Sequence, residues 1–274
     1  MLNSTLFLRS TSANRSYIRS ADGIRFLAIF LVVTGHVAVY LNIKAVKPYS
    51  YTTIQTIIGN MLTQPGFGLQ IFFVLSGFLL VIPLAQHYAN GYPKPSILQY
   101  YLRRLVRLEL PYLLVLTCSS IVLVFVIHKY SFSYLLPRYI ASVFYSNHLI
   151  YGVHPEPLPI AWSLEAEIQF YITVPLWALL FRLNAYVRVM LLSIVIIVVP
   201  IMLANYPQYG YVYFVSTCPY FFAGMLVAHF YILPTVRVIT SCYANGIAVA
   251  LLLVMVYIFP YCNVSNSYVP MVFP

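Results

Sequence analysis

Long apolar runs, broken by short basic or proline-containing segments, leave this chain few ways to fold. Its 274 residues are 62% hydrophobic and only 7% charged. Water would penalise so much apolar surface, whereas hydrocarbon accepts it. Inside hydrocarbon every backbone N–H and C=O needs a partner, and a helix supplies those partners within one segment. The sequence therefore predicts an all-α, polytopic transmembrane bundle. The apolar runs place seven spans, at 24–41, 57–80, 111–127, 160–181, 187–203, 211–233 and 239–261. Residues 133–150 are more polar, with Pro137, Arg138, Asn147 and His148. That segment reads as re-entrant or as a buried half-helix, not as a crossing.

Charge sets the expected orientation. The formal net charge is +10. Basic residues concentrate on the cytoplasmic side of membrane proteins. Residues 1–20, with Arg9, Arg15 and Arg19, read as a basic cytoplasmic lead-in to a single transmembrane domain over 21–274. The 94–107 region, Arg182, Arg188 and Arg237 fall on the same side, leaving Lys44, Lys47, Lys129 and Arg138 outside. No solvated basic domain interleaved with aromatics is present, so nucleic acid is not an expected partner. Cys118, Cys218, Cys242 and Cys262 have no metal-ligand spacing, and no metal is expected.

The chemistry is sought among ionisable residues inside the spans, which are costly in hydrocarbon and usually face protein or water. Arg25 and His36 lie eleven positions apart in the first span, close to three helical turns, and so share a face. A histidine beside a carboxylate can take a proton from a hydroxyl. The chain has five side-chain carboxylates: Asp22, Glu109, Glu156, Glu165 and Glu167. Asp22 can cap the first helix or pair with Arg25. Glu165 and Glu167, two apart in a helix, point to different faces. Glu165, nearer the boundary, is expected in the wet headgroup zone, and Glu167 at the depth of His36. Arg103, Arg104 and Arg107 form a basic cluster whose guanidinium forks suit phosphate, although anchoring to anionic lipid is the commoner role. Ser76 and Gly77 lie together in the second span, where the glycine permits close helix approach. Glu109 reads as structural, a partner for one of the clustered arginines, and His148 as a secondary candidate.

Four of these elements together resemble the membrane acyltransferase-three family. They are Arg25 through His36, the FFVLSGF run at 72–78, Arg103-Arg104-x-x-Arg107 followed by 109–112, and the WSLEAEIQFY run at 162–171. Leu110 and Phe26 depart from the family pattern. The resemblance implies transfer of an acyl group, most simply acetyl, from cytoplasmic acyl-CoA to a hydroxyl of a glycan or glycolipid outside. Polysaccharide or lipopolysaccharide modification at a bacterial inner membrane would follow. It implies His36 as base or, alternatively, as acyl carrier, Glu167 as its orienting carboxylate, Arg25 on the donor, Arg103, Arg104 and Arg107 on the donor phosphates, and Ser76 along the donor channel. Acyl-CoA is then a co-substrate, with no resident cofactor. The family's greater span number implies a chain shortened at its C-terminus. A glycan or lipid transporter, or a non-catalytic remnant, are the competing expectations.

Overall fold

A computed structural model describes residues 19–44, 65–152, 155–206 and 213–233. In chain order its helices are α1 (Arg19–Lys44), α2 (Pro65–Asn90), α3 (Ile97–Ile121), α4 (Phe132–Val143), α5 (Asn147–Tyr151), α6 (Trp162–Trp177), α7 (Ala185–Asn205) and α8 (Tyr213–Ile232). A π-helical turn, Val122–Val126, extends α3, and 3-10 turns at Pro159–Ala161 and Ala178–Arg182 flank α6. No strand occurs among the described residues.

Five stretches are long and apolar enough to cross a bilayer: Gly68–Asn90, Glu109–Val126, Pro159–Arg182, Ala185–Leu203 and Phe214–Ile232. They overlap the second to sixth predicted spans, but the second runs on through Pro83 to Asn90, ten residues past its predicted end. Helix α1 covers the first; its 26 residues span roughly 39 Å at 1.5 Å per residue. The seventh predicted span, 239–261, and residues 57–64 of the second lie outside the described residues. The 133–150 segment folds as α4 and α5, of 12 and 5 residues, too short to cross.

Local sequence explains the helix starts. Ser96, Ser131 and Asn184 cap α3, α4 and α7, their side chains accepting from the N–H groups of Gln99, Tyr134 and Val187. Proline lies inside α2, α3, α4, α6, α7 and α8. Membrane helices tolerate it, because neighbouring groups take up the freed carbonyls.

Helix α2 is the centre of the packing, with α8 and α1 against it most extensively and α6 alongside. Glycine makes the closest of these contacts. A Cβ on Gly77 would strike the Phe221 backbone, and one on Gly224 would meet Val74 O and, at 2.6 Å, Phe78 N. A Cβ on Gly68 would meet Ala28 O and, at 2.8 Å, Val32 N of α1. Helix α1 meets this contact with a seam of small residues, Ala21, Ala28 and Gly35, each buried and spaced by seven. Its outward face carries Phe26, Phe30, Val33 and Val37.

The ends of the helices sort by charge. Asn90 donates to Ile232 O at 3.3 Å, joining the ends of α2 and α8. The Arg182 guanidinium lies 5.7 Å from the Tyr88 ring, bringing the turn after α6 to the same end. The short links from α2 to α3 and from Arg182 to α7 keep Lys94, the first turns of α3 and the start of α7 there too. This is the basic end expected from the sequence.

Candidate active site

Three rings form the floor of the site. Phe170 of α6 stacks on Phe221 of α8 at 4.1 Å and 9°, and Phe73 of α2 packs on Phe221 at 4.9 Å. All three are at most 2% exposed. Ser76 and Glu167 stand three residues from Phe73 and Phe170, on the same faces of α2 and α6.

Above this floor, Ser76 Oγ donates to Glu167 Oε1 at 2.8 Å. The same carboxylate oxygen accepts from the Tyr171 hydroxyl, one turn further along α6. Ser76 and Glu167 are separated by 91 residues, and both are buried. Two residues singled out from separate motifs thus meet directly. A buried carboxylate needs such donors, since its desolvation is otherwise uncompensated. The pair of hydroxyls holds Glu167 as a fixed acceptor between two helices. Tyr171 did not stand out in the sequence as a partner, although its spacing of four from Glu167 was the signal for it.

Arg25 forms an ion pair with Asp22 at 2.9 Å, the local alternative that the sequence allowed. His36 is exposed on α1, one position beyond buried Gly35. It is not among the partners of Glu167 in this arrangement. Arg103, Arg104 and Arg107 lie in the first half of α3, at the basic end, and their side chains fall outside the described ones.

Glu165 corrects one expectation. It is 2% exposed rather than set in the headgroup zone. The reason is the short helix α5, which folds over it: the His148 N–H donates to both Glu165 oxygens, at 3.1 and 3.4 Å. His148 itself is buried. The corner before α5 is further tied down. Tyr145 has a left-handed backbone (φ 53°), its hydroxyl donates to Glu109 Oε2 at 2.8 Å, and Gln169 Nε2 reaches its carbonyl at 3.4 Å. Glu109 therefore has a structural partner in Tyr145; the arginines expected to pair with it have side chains outside the described ones. Burial, then the Glu109 bond and charge, push the Tyr145 hydroxyl pKa well above the usual tyrosine value. Among the described residues, no group of three His, Cys, Asp or Glu side chains could hold a metal ion. An apolar cavity of about 230 Å³ between α3 and α4 is lined by none of the sequence-predicted site residues.

Comparison with known proteins places the chain in a family. The family model described as an acyltransferase domain matches residues 18–273. The peptidoglycan O-acetyltransferase OatA of Listeria monocytogenes is 31% identical over 184 residues, 63% of this chain and 26% of that protein. The putative peptidoglycan O-acetyltransferase YrhL of Bacillus subtilis is 29% identical over 171 residues, 59% of this chain and 24% of its own length. The O-acetyltransferase OatA of Staphylococcus aureus is 28% identical over 169 residues, 58% and 24%. The chain spans about a quarter of the length of these curated relatives. No solved structure matches it.

Proposed function

The chain belongs to the acyltransferase-three family, an integral membrane family, and from that premise we propose that it moves an acetyl group onto a hydroxyl of a cell-wall glycan. The observation that carries this reading is the buried Ser76–Glu167 contact at 2.8 Å, because it joins two of the family's sequence elements in one place. The relatives are named for peptidoglycan and not for lipopolysaccharide, which favours a peptidoglycan-like acceptor.

In the proposed reaction the acceptor oxygen attacks the thioester carbonyl of acetyl-CoA. A C–O bond forms and the C–S bond breaks. The acceptor proton passes to His36 and then to the departing thiolate, so that the base is regenerated. Glu167, held by Ser76 and Tyr171, supplies a fixed negative charge for the cation that forms at the base. Arg25 and the Arg103, Arg104 and Arg107 cluster would hold the donor, entering from the basic, cytoplasmic end. Closure of the distance between His36 and the carboxylate would accompany substrate binding, as lids and loops do in other enzymes.

The test is acetyl transfer in vesicles. Protein is reconstituted, labelled acetyl-CoA is supplied on the basic side, and label on soluble peptidoglycan fragments is counted for wild type, His36→Ala and Glu167→Gln. Transfer by wild type that disappears in His36→Ala supports the reading. Transfer that persists in His36→Ala removes histidine from the base role. Absence of transfer and of donor binding in folded wild-type protein overturns the reading for this chain.

A further inference from the structure

Arg188 stands in the first turns of α7, at the basic end, and is 4% exposed. The sequence offered it as one of several positive-side charges; the fold instead buries it between α6, α7 and α8. Its Nε donates to His229 Nδ1 of α8 at 3.0 Å. One Nη donates to Phe181 O at 3.0 Å and approaches Leu183 O at 3.5 Å. The other Nη has no hydrogen-bond partner among the described residues. Every partner Arg188 has among the described residues is neutral. The carbonyls ending the turn after α6 contribute the partial negative charge of a helix C-terminus, about half an elementary charge, which falls short of a counter-ion.

The rest of the chain offers no side-chain carboxylate to make up the difference. It has five, and all five are engaged elsewhere. Asp22 holds Arg25, Glu109 holds the Tyr145 hydroxyl, and Glu156 holds Arg138 at 2.7 Å. Glu165 holds the His148 N–H, and Glu167 holds Ser76 and Tyr171. A buried cation whose partners are all neutral is costly, and the usual remedy is an anion.

We infer that Arg188 and His229 form a site for a phosphate group, whose anion comes from outside the chain. The donors left over favour phosphate. With Nδ1 accepting from Arg188, the proton of neutral His229 sits on Nε2, so the ring and the remaining Nη both present N–H groups. A tetrahedral, acceptor-only oxyanion suits the remaining Nη, whose guanidinium fork matches it, and His229 fixes that fork by accepting from Nε. Two sources meet this end of the bundle: the headgroup phosphate of an anionic phospholipid and the phosphates of a soluble nucleotide such as coenzyme A. The charge balance is independent of the reaction the chain performs.

Thermal unfolding and equilibrium binding test the site on the full chain in phosphatidylcholine nanodiscs. One arm adds phosphatidylglycerol to the disc; the others titrate inorganic phosphate or coenzyme A. The expected result is a rise of several degrees in the wild-type midpoint in at least one arm. Affinity for that probe should fall at least tenfold in Arg188→Gln and by less in Arg188→Lys, which keeps the charge but not the fork. A response to phosphatidylglycerol alone assigns the lipid, and a response to coenzyme A in the neutral disc assigns the nucleotide. No response of wild type in any arm, or equal binding by folded Arg188→Gln, overturns the inference. Should Arg188→Gln fail to fold, His229→Ala decides: several-fold weaker binding supports the site, and unchanged binding overturns it. A response to phosphatidylglycerol alone, with neither acetyl transfer nor donor binding in vesicles, leaves this site standing and removes the acyl-transfer reading.

Discussion

Glu167 and Tyr145 show how individual side chains carry consequences that can be measured separately. Glu167→Gln keeps the shape of the carboxylate and removes its charge. It should lower acetyl transfer by about a hundredfold or more while leaving the thermal midpoint nearly unchanged. Glu167→Ala also strands the Ser76 and Tyr171 hydroxyls in a buried place, which should cost roughly 1–3 kcal/mol of stability in denaturant titration. Tyr145 belongs to the scaffold. Its pKa is raised in the folded chain, so the folded state holds the proton more tightly than the unfolded one. That stabilisation is fully present below about pH 10, the ordinary tyrosine value, and is lost as pH rises through the higher folded value. Melting midpoints compared between wild type and Tyr145→Phe should therefore differ by a constant amount from pH 6 to 9 and converge in alkali. At this scale the sequence was informative about types and silent about azimuth. Ser76 and Glu167 were each legible, since polar groups in apolar runs are few. Their contact was not, because nothing in two helices 91 residues apart states which way each is turned. Glu165 was misjudged for a related reason: its distance from the span boundary could be counted, but the fold of α5 over it could not.

Helices α2 and α8 meet through glycine, and their backbones lie too close for any side chain between them. Gly77→Ala and Gly224→Ala should each destabilise the protein by about 1–3 kcal/mol or more, since the obstructing atoms are backbone and cannot turn aside. Unfolding in mild detergent measures the loss directly, and wild-type stability in both variants would show that the helices separate without cost. Ser76 and Phe73 lie next to this contact on α2, so transfer activity should fall in step with stability. The sequence announced Gly77 as a place of close approach. It did not announce Gly224, which has no polar neighbour to mark it. The long apolar helices were legible because length and hydropathy are local properties. The division of 133–150 into α4 and α5 turns on a left-handed tyrosine, which no residue preference announces.

Seen as a whole, the molecule has one strongly basic end and one end where Arg138 is paired with Glu156. Cysteines placed at Lys94 and Arg182 should react with a membrane-impermeant thiol reagent from one side only, and a cysteine at Lys129 from the other. All three positions are exposed, so the substitution itself should be tolerated, and the natural cysteines are first changed to serine. Labelling of all three from the same side would reverse the topology read from charge. The sorting of charge to two ends was legible because it depends on where charges fall along the chain and not on how helices pack; which end faces the cytoplasm is what the labelling decides.

The seam of small residues between α1 and α2 turns this architecture into two separable machines. A surface of Ala21, Ala28 and Gly35 has no knobs to lock its register, so the depth and tilt of α1 depend on how closely two backbones fit. Ala28→Leu would act as a wedge driven into that fit. It would displace Arg25 and His36 together, as passengers on one rod, while Ser76 and Glu167 remain bolted between α2 and α6. Transfer should then fail in a protein whose Ser76–Glu167 half is untouched, and a small residue restored at position 28 should return it.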